Sequence, residues 1–104
     1  MLAQLDAFRR GDYETTYTFA SETIRQLFDR QRFERMVQTG YPEIAWSRSA
    51  VIESAALTSD GRAYLVVKIR GANGQGIKAI YEMVWENGGR KIDGVVSRPD
   101  DDVV

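Results

Sequence analysis

The chain has 104 residues, 43% of them hydrophobic and 28% charged, the size and balance of one ordinary globular domain and too short for two. It has no histidine and no cysteine, which excludes serine-histidine and cysteine-histidine catalysis, disulfides, iron–sulfur clusters and the usual zinc sites. Lysine and arginine total 14 against 15 acidic residues, a net charge of -1. The positive field of a nucleic-acid or acidic-membrane binder is therefore missing.

The expected partners include neither nucleic acid nor membrane, since no apolar run approaches the roughly 20 residues that span a bilayer. Neither cofactor nor metal is expected. Met1 leads into an amphipathic pattern and not a signal peptide, so the chain as written reads as cytoplasmic. No capping residue precedes that pattern, and an upstream leader would make the protein secreted.

The first forty residues read as helices. Leu2, Leu5 and Phe8 recur at helical spacing until Gly11 stops them. Asp12 is placed to cap a second helix carrying Tyr13, Tyr17 and Ala20 on one face, and Ser21 to cap a third with Ile24, Leu27 and Phe28. A polar break from Asp29 to Arg32 precedes Phe33, Met36 and Val37, and Gly40 with Pro42 two residues on gives a helix stop.

From there the period changes to two. Four strands are predicted, Ser49–Thr58, Arg62–Arg70, Ile77–Glu86 and Arg90–Val96. Asp60-Gly61 and Gly88-Gly89 suit two-residue hairpin loops, and a longer loop runs from Gly71 to Gly76. The expected fold is α+β, with N-terminal helices packed on one face of an antiparallel meander. Residues 1–97 form the single domain in this reading, and 98–104 an acidic tail.

Two-residue loops fix register. They pair Glu86 with Lys91, Val84 with Asp93, Glu53 with Lys68 and Ala56 with Leu65. The inner face then carries Ala50, Ile52, Ser54, Ala56, Ala63, Leu65, Val67, Ile69, Ala79, Tyr81, Met83, Trp85, Ile92 and Gly94. Glu82 and Asp93 point outward. The outer face also holds Leu57, Tyr64, Val66, Ile80, Val84 and Val95, an apolar patch of the kind a partner covers. A homodimer through this face is expected. The simpler alternative is that scattered exposed aliphatics are normal.

Small inner residues such as Ala50, Ser54, Ala79 and Gly94 leave volume between sheet and helices. Either a pocket occupies it or the helices approach closely.

Helices followed by a curved antiparallel meander look like the nuclear transport factor 2-like superfamily, whose cone fold includes ketosteroid isomerase and scytalone dehydratase. A more specific pattern runs through Gln4-Leu5-Asp6-Ala7-Phe8, Asp12, Tyr17-Thr18-Phe19-Ala20-Ser21, Phe33-Glu34-Arg35-Met36-Val37 and Gly40-Tyr41-Pro42-Glu43. It resembles the bacterial domain-of-unknown-function 4864 family, from Gln4 to Val96. The resemblance implies the cone fold and a small-molecule pocket, and brings no activity, cofactor or catalytic residue with it.

An isomerase or dehydratase site needs a base beside a hydrogen-bond donor in a dry pocket. The register turns Glu53, Glu82, Glu86 and Asp93 outward, and the acids left near helix ends, Asp6, Asp12, Glu34 and Glu43, are explained by capping or solvation. No catalytic residue is assigned. A binding pocket asks less, an apolar wall with a few polar groups. Its candidate lining is Tyr17, Tyr41, Trp46, Ser54, Tyr81 and Trp85, although side chains at such spacing are more often core. The leading expectation is a non-enzymatic module that binds a small apolar or amphipathic ligand or serves as a scaffold. Its rivals are a lyase or isomerase and a protein-interaction domain that uses the outer face.

The basic cluster Arg30-Gln31-Arg32 with Arg35 is interleaved with Asp29 and Glu34 and reads as a solvated helix face. The glycine-rich stretch from Gly71 to Gly76 lacks the Lys and Ser/Thr of a phosphate loop.

Overall fold

The structure is a computed structural model that describes residues 1–100. Five helices, α1 (Leu2–Arg9), α2 (Tyr13–Thr18), α3 (Glu22–Leu27), α4 (Arg30–Gly40) and α5 (Pro42–Ala45), precede four strands. These are β1 (Ser47–Leu57), β2 (Ala63–Gly71), β3 (Gly76–Glu86) and β4 (Gly89–Pro99), antiparallel in the order β1-β2-β3-β4. The protein is α+β, and the sheet is the expected meander.

Three of the five helices start where a side chain supplies the acceptor that their first N–H groups lack. Asp12 accepts from the Thr15 N–H, Ser21 from Ile24 and Asp29 from Arg32. Asp29 thus opens α4 inside the stretch expected to be a polar break. Pro42 stands in the first turn of α5 instead of ending the helical region, because its missing N–H costs nothing at that position. α5 packs so closely on β2 that a Cβ on Gly71 would come 2.8 Å from the Asn73 side chain and 3.1 Å from the Glu43 Cα.

The core lies between the helices and one face of the sheet. Leu5, Phe8, Phe33, Val37 and Ile44 meet Val67, Ile69, Ala79, Tyr81, Met83 and Ile92 there. Phe8 stacks on Phe33 with centroids 6.2 Å apart, and Tyr17 meets Phe33 edge-on at 5.4 Å. Arg9 ties α1 to the start of β1 by donating to the Ser47 carbonyl and hydroxyl, both at 3.0 Å.

Register departs from expectation at both glycine bends. The last hairpin turns on Asn87-Gly88, both at positive φ, so Glu86 pairs with Gly89, Val84 with Lys91 and Met83 with Ile92. The first hairpin closes through residues 58–62, with Thr58 and Asp60 side chains accepting from the Arg62 N–H, and Leu57 pairs with Ala63.

The first and last hairpins also contain bulges. Between the pairs Ile52–Val67 and Ser54–Val66 the extra residue is Glu53, and between Met83–Ile92 and Glu82–Gly94 it is Asp93. Because side chains alternate with period two, each extra residue exchanges the faces beyond it. Ser54 and Ala56, expected inside, pair with the outer residues Val66 and Tyr64, while Leu57 moves to the inner side opposite Ala63. Gly94 falls opposite Glu82, and Val95 opposite Tyr81 on the helix side.

β4 runs three residues beyond its expected end, so Arg98 and Pro99 belong to the sheet, and the Asp100 N–H donates to the Gly76 carbonyl. The rest of the expected acidic tail, residues 101–104, lies outside the described residues.

The segment before α3 adds a short edge to the sheet. Ala20 bridges Ile92 in parallel, with the Ser21 N–H donating to the Ile92 carbonyl at 2.8 Å and the Ile92 N–H to Phe19 at 2.8 Å.

Candidate functional site

A cleft of about 320 Å³ lies between α3, α4 and the β3–β4 half of the sheet. Ala20, Ile24, Phe28, Phe33, Met36 and Ile92 are among its apolar walls, and its polar groups come from Gln4, Tyr41 and Tyr81. Among the described residues, no Asp, Glu, Lys or Arg lines it.

The two amide-bearing and phenolic side chains at its edge are already engaged. Gln4, buried on α1, donates through Nε2 to the Thr16 carbonyl at 3.2 Å, and the Tyr41 hydroxyl donates to the Val95 carbonyl at 3.1 Å. Tyr81 differs. It is 0% exposed, and its hydroxyl is the one buried side-chain polar atom without a partner among the described residues. Burial pushes its pKa well above the ordinary tyrosine value, because charging the oxygen in an apolar setting is unfavourable. The hydroxyl keeps its proton across the physiological range and stands as a donor with nothing to donate to.

Of the six residues expected to line a pocket, Tyr41 and Tyr81 do so. Tyr17 packs behind the wall, its hydroxyl donating to the Phe28 carbonyl at 2.6 Å and pinning the end of α3. Trp46 caps α5 and is 47% exposed, its carbonyl receiving the Ala72 N–H. Ser54 is on the far face through the Glu53 bulge. Trp85 keeps its inner parity but extends past the helices, 63% exposed with the Arg90 guanidinium 5.8 Å from its ring.

Gln4 and Val95 are among the lining residues that the sequence reading did not name. Val95 was assigned to the opposite face, and Gly94, a glycine inside a strand, was the available sign of a bulge. Gln4 sits between apolar residues of α1, where a polar side chain on a buried face could have been noticed.

The carboxylates nearest in sequence to the cleft are diverted from it. Asp93 accepts from the Ser21 hydroxyl at 2.7 Å and lies 3.4 Å from Arg62, which also binds Glu82. Glu82 in turn accepts from the Tyr64 hydroxyl at 3.3 Å. Both acids therefore lie outside the cleft, held by one arginine. Arg62 is held more firmly charged than usual, first by the hydrogen bond to Asp93 and then by the charge of Glu82. Among the described residues no group of histidine, cysteine, aspartate or glutamate has the arrangement of a metal site.

A family model described as a domain of unknown function (DUF4864) matches residues 1–103. No curated protein matches the chain.

Proposed function

From the chain's membership of the DUF4864 family, whose description names no activity, the function has to be read from the cleft, and we propose that the protein binds a small, uncharged, largely apolar molecule there. The observation that carries this reading is the unpartnered, buried hydroxyl of Tyr81, a residue that lines the apolar cleft. A buried polar group without a partner costs about 1–3 kcal/mol, so it calls for a reason, and a ligand oxygen that accepts its proton supplies one. Among the described residues no charged side chain lines the cleft to neutralise an ionised ligand, which favours a neutral acceptor such as a carbonyl, ether or hydroxyl oxygen.

In this reading the helices and curved meander form a cone of the nuclear transport factor 2-like kind, with the cleft as its mouth. The helix layer on one sheet face and the cavity between them support that placement. The lyase or isomerase alternative finds no support in the cleft, which has a donor in Tyr81 but no carboxylate to act as base.

The test is titration of the purified protein with 2-acetylnaphthalene and with 2-ethylnaphthalene, which lacks the acceptor oxygen. The ketone should bind more tightly, and Tyr81→Phe should weaken it by about 3- to 10-fold, the worth of one neutral hydrogen bond, while leaving the hydrocarbon unchanged. Failure of both probes to bind, or an equal effect of Tyr81→Phe on both, overturns the reading.

A further inference from the structure

We propose that α3 is a gate on the cleft, a short helix that swings out between Ser21 and Asp29 while the rest of the domain stays folded, and so lets a molecule reach Tyr81. The inference rests on the ligand reading for what passes the gate, and the motion itself is measurable with no ligand present.

The geometry of the site calls for such a motion. Tyr81 lines the cleft, yet the residue is 0% exposed and its hydroxyl is wholly buried. A ligand oxygen has to come within about 2.5–3.0 Å to accept that proton, so one wall of the cleft must move before the bond forms.

The walls are unequally held. α4 sets Phe33 and Val37 into the core beside Phe8, α1 buries Leu5, Ala7 and Phe8, and the strands are joined across the sheet by backbone pairing. α3 has six residues and buries none of them. It and the residue after it bring only Ile24 and Phe28 to the cleft, both partly buried, and Leu27 between them is 64% exposed. Local opening costs least where few buried apolar contacts are broken, and so short a helix is marginal without tertiary contacts. Of the walls, α3 is therefore the one that yields first.

What closes it is polar and sits at its two ends. At the start, the Glu86 carboxylate on the end of β3 accepts from the Glu22 N–H at 3.0 Å. At the finish, the Tyr17 hydroxyl on α2 donates to the Phe28 carbonyl at 2.6 Å, with the Arg25 carbonyl at 2.9 Å. The fixed points lie just outside. The Ser21 N–H donates to the Ile92 carbonyl and its hydroxyl to Asp93, which holds it to β4, while Asp29 belongs to the cap of α4. Ser21 and Phe28, flanking α3, are both extended, so the chain changes direction at each end and supplies two hinges. Each hydrogen bond of the latch shifts the balance between closed and open by about 3- to 10-fold, enough to keep the empty cleft shut and little enough to release it.

The absence of cysteine permits a ligand-free test. Ile92, 7% exposed, lines the cleft on β4, whereas Val67, 0% exposed, lies in the core outside it. Ile92→Cys should react with a thiol reagent at least about 10-fold faster than Val67→Cys and almost independently of low urea, because a local opening exposes little surface. Val67→Cys should react only through global unfolding, with a steep urea dependence. Tyr17→Phe keeps the ring against Phe33 but removes the latch, and should speed the labelling of Ile92→Cys by about 3- to 10-fold. Glu86→Ala should act in the same direction from the other end. Labelling of Ile92→Cys that follows urea as Val67→Cys does, or that neither latch variant accelerates, overturns the gate. Binding of 2-acetylnaphthalene under either of those outcomes leaves the ligand reading standing without the gate. Latch-dependent labelling in a protein that binds neither naphthalene supports the opening of α3 and overturns the ligand reading alone.

Discussion

On the helix side of the sheet Val67, Ile69, Ala79 and Tyr81 are at most 1% exposed, while Ile80, which separates two of them in the chain, is 40% exposed on the other side. The same strands supply both faces, so propensity and backbone hydrogen bonding do not separate them. What differs is the cover. Over these positions the inner face is closed by apolar helix residues and tolerates one unpartnered hydroxyl, whereas Ile52, Leu57 and Trp85 on the same side lie beyond the helices and are exposed. The outer face holds its polar groups through an ion network centred on Arg62 and leaves its aliphatics half open. Stability therefore resides in the first face.

The comparison is broken most directly by matched truncations. Ile69→Ala removes a side chain that is 1% exposed and should cost about 2–5 kcal/mol, transfer and cavity terms together. Ile80→Ala, one strand away and on the other face, should fall within about 0.5 kcal/mol when the protein is studied as a monomer. Urea denaturation at low protein concentration checks both. Equal losses would mean that the outer face is covered within the single chain.

Ser21 joins the two faces and should give the next largest effect. Its hydroxyl accepts from the Ile24 N–H as the cap of α3 and donates to Asp93 at 2.7 Å. Ser21→Ala should cost about 1–2 kcal/mol, with the added mark of a weakened Asp93–Arg62 contact.

The elements were legible in the sequence because each leaves a local signal: Asp12 and Ser21 as caps, the stripe Phe33, Met36 and Val37, and the glycine-bearing turns between β-branched runs. The facing of side chains was legible only as far as each bulge. Ala50 and Ile52 were assigned correctly, since the one-residue error at the first bend and the extra residue at Glu53 cancel. Between bend and bulge nothing cancels, and Ser54, Ala56 and Leu57 came out reversed. At the other end the bend moved both partners together and left Ile92 inside, and the uncompensated bulge at Asp93 then reversed Gly94 and Val95. A bulge is decided by how strands must bend to fit the helices, a tertiary requirement that strand patterning does not record. The short α5 was missed for a related reason, since Pro42 fits a helix stop and a helix start equally well.

Tyr81→Phe sharpens the contrast in the opposite direction. Removing the unpartnered hydroxyl should raise the stability of the empty protein by about 1 kcal/mol while lowering affinity for the ketone probe, the pattern of a residue kept for binding at the expense of the fold.

The same residue predicts an alkaline limit. Its folded-state pKa lies above the ordinary value of 10.0, with desolvation as the cause. Above about pH 10 the unfolded chain releases this proton and the folded chain keeps it, so the folded state binds more protons and its stability falls as pH rises. Below that pH the contribution is constant. Tyr64, also raised chiefly by desolvation, adds to the same slope, so Tyr81→Phe should reduce the alkaline loss without abolishing it in pH-dependent thermal melts.

The smallest effect belongs to the acid limb, where the sign reverses. The Thr15 hydroxyl and then the Thr15 N–H hold the Asp12 carboxyl below its ordinary 3.8. Its contribution is therefore full above that value and is lost as pH falls through the lowered pKa. Asp60, held down first by the Thr58 hydroxyl and next by the Arg62 N–H, behaves alike in the first hairpin. Asp12→Asn keeps an acceptor at the helix start but removes the titration, and should flatten the melting curve below about pH 4 with little change at neutrality. An acid limb unaltered by Asp12→Asn would overturn the assignment of this part of the pH dependence to the start of α2.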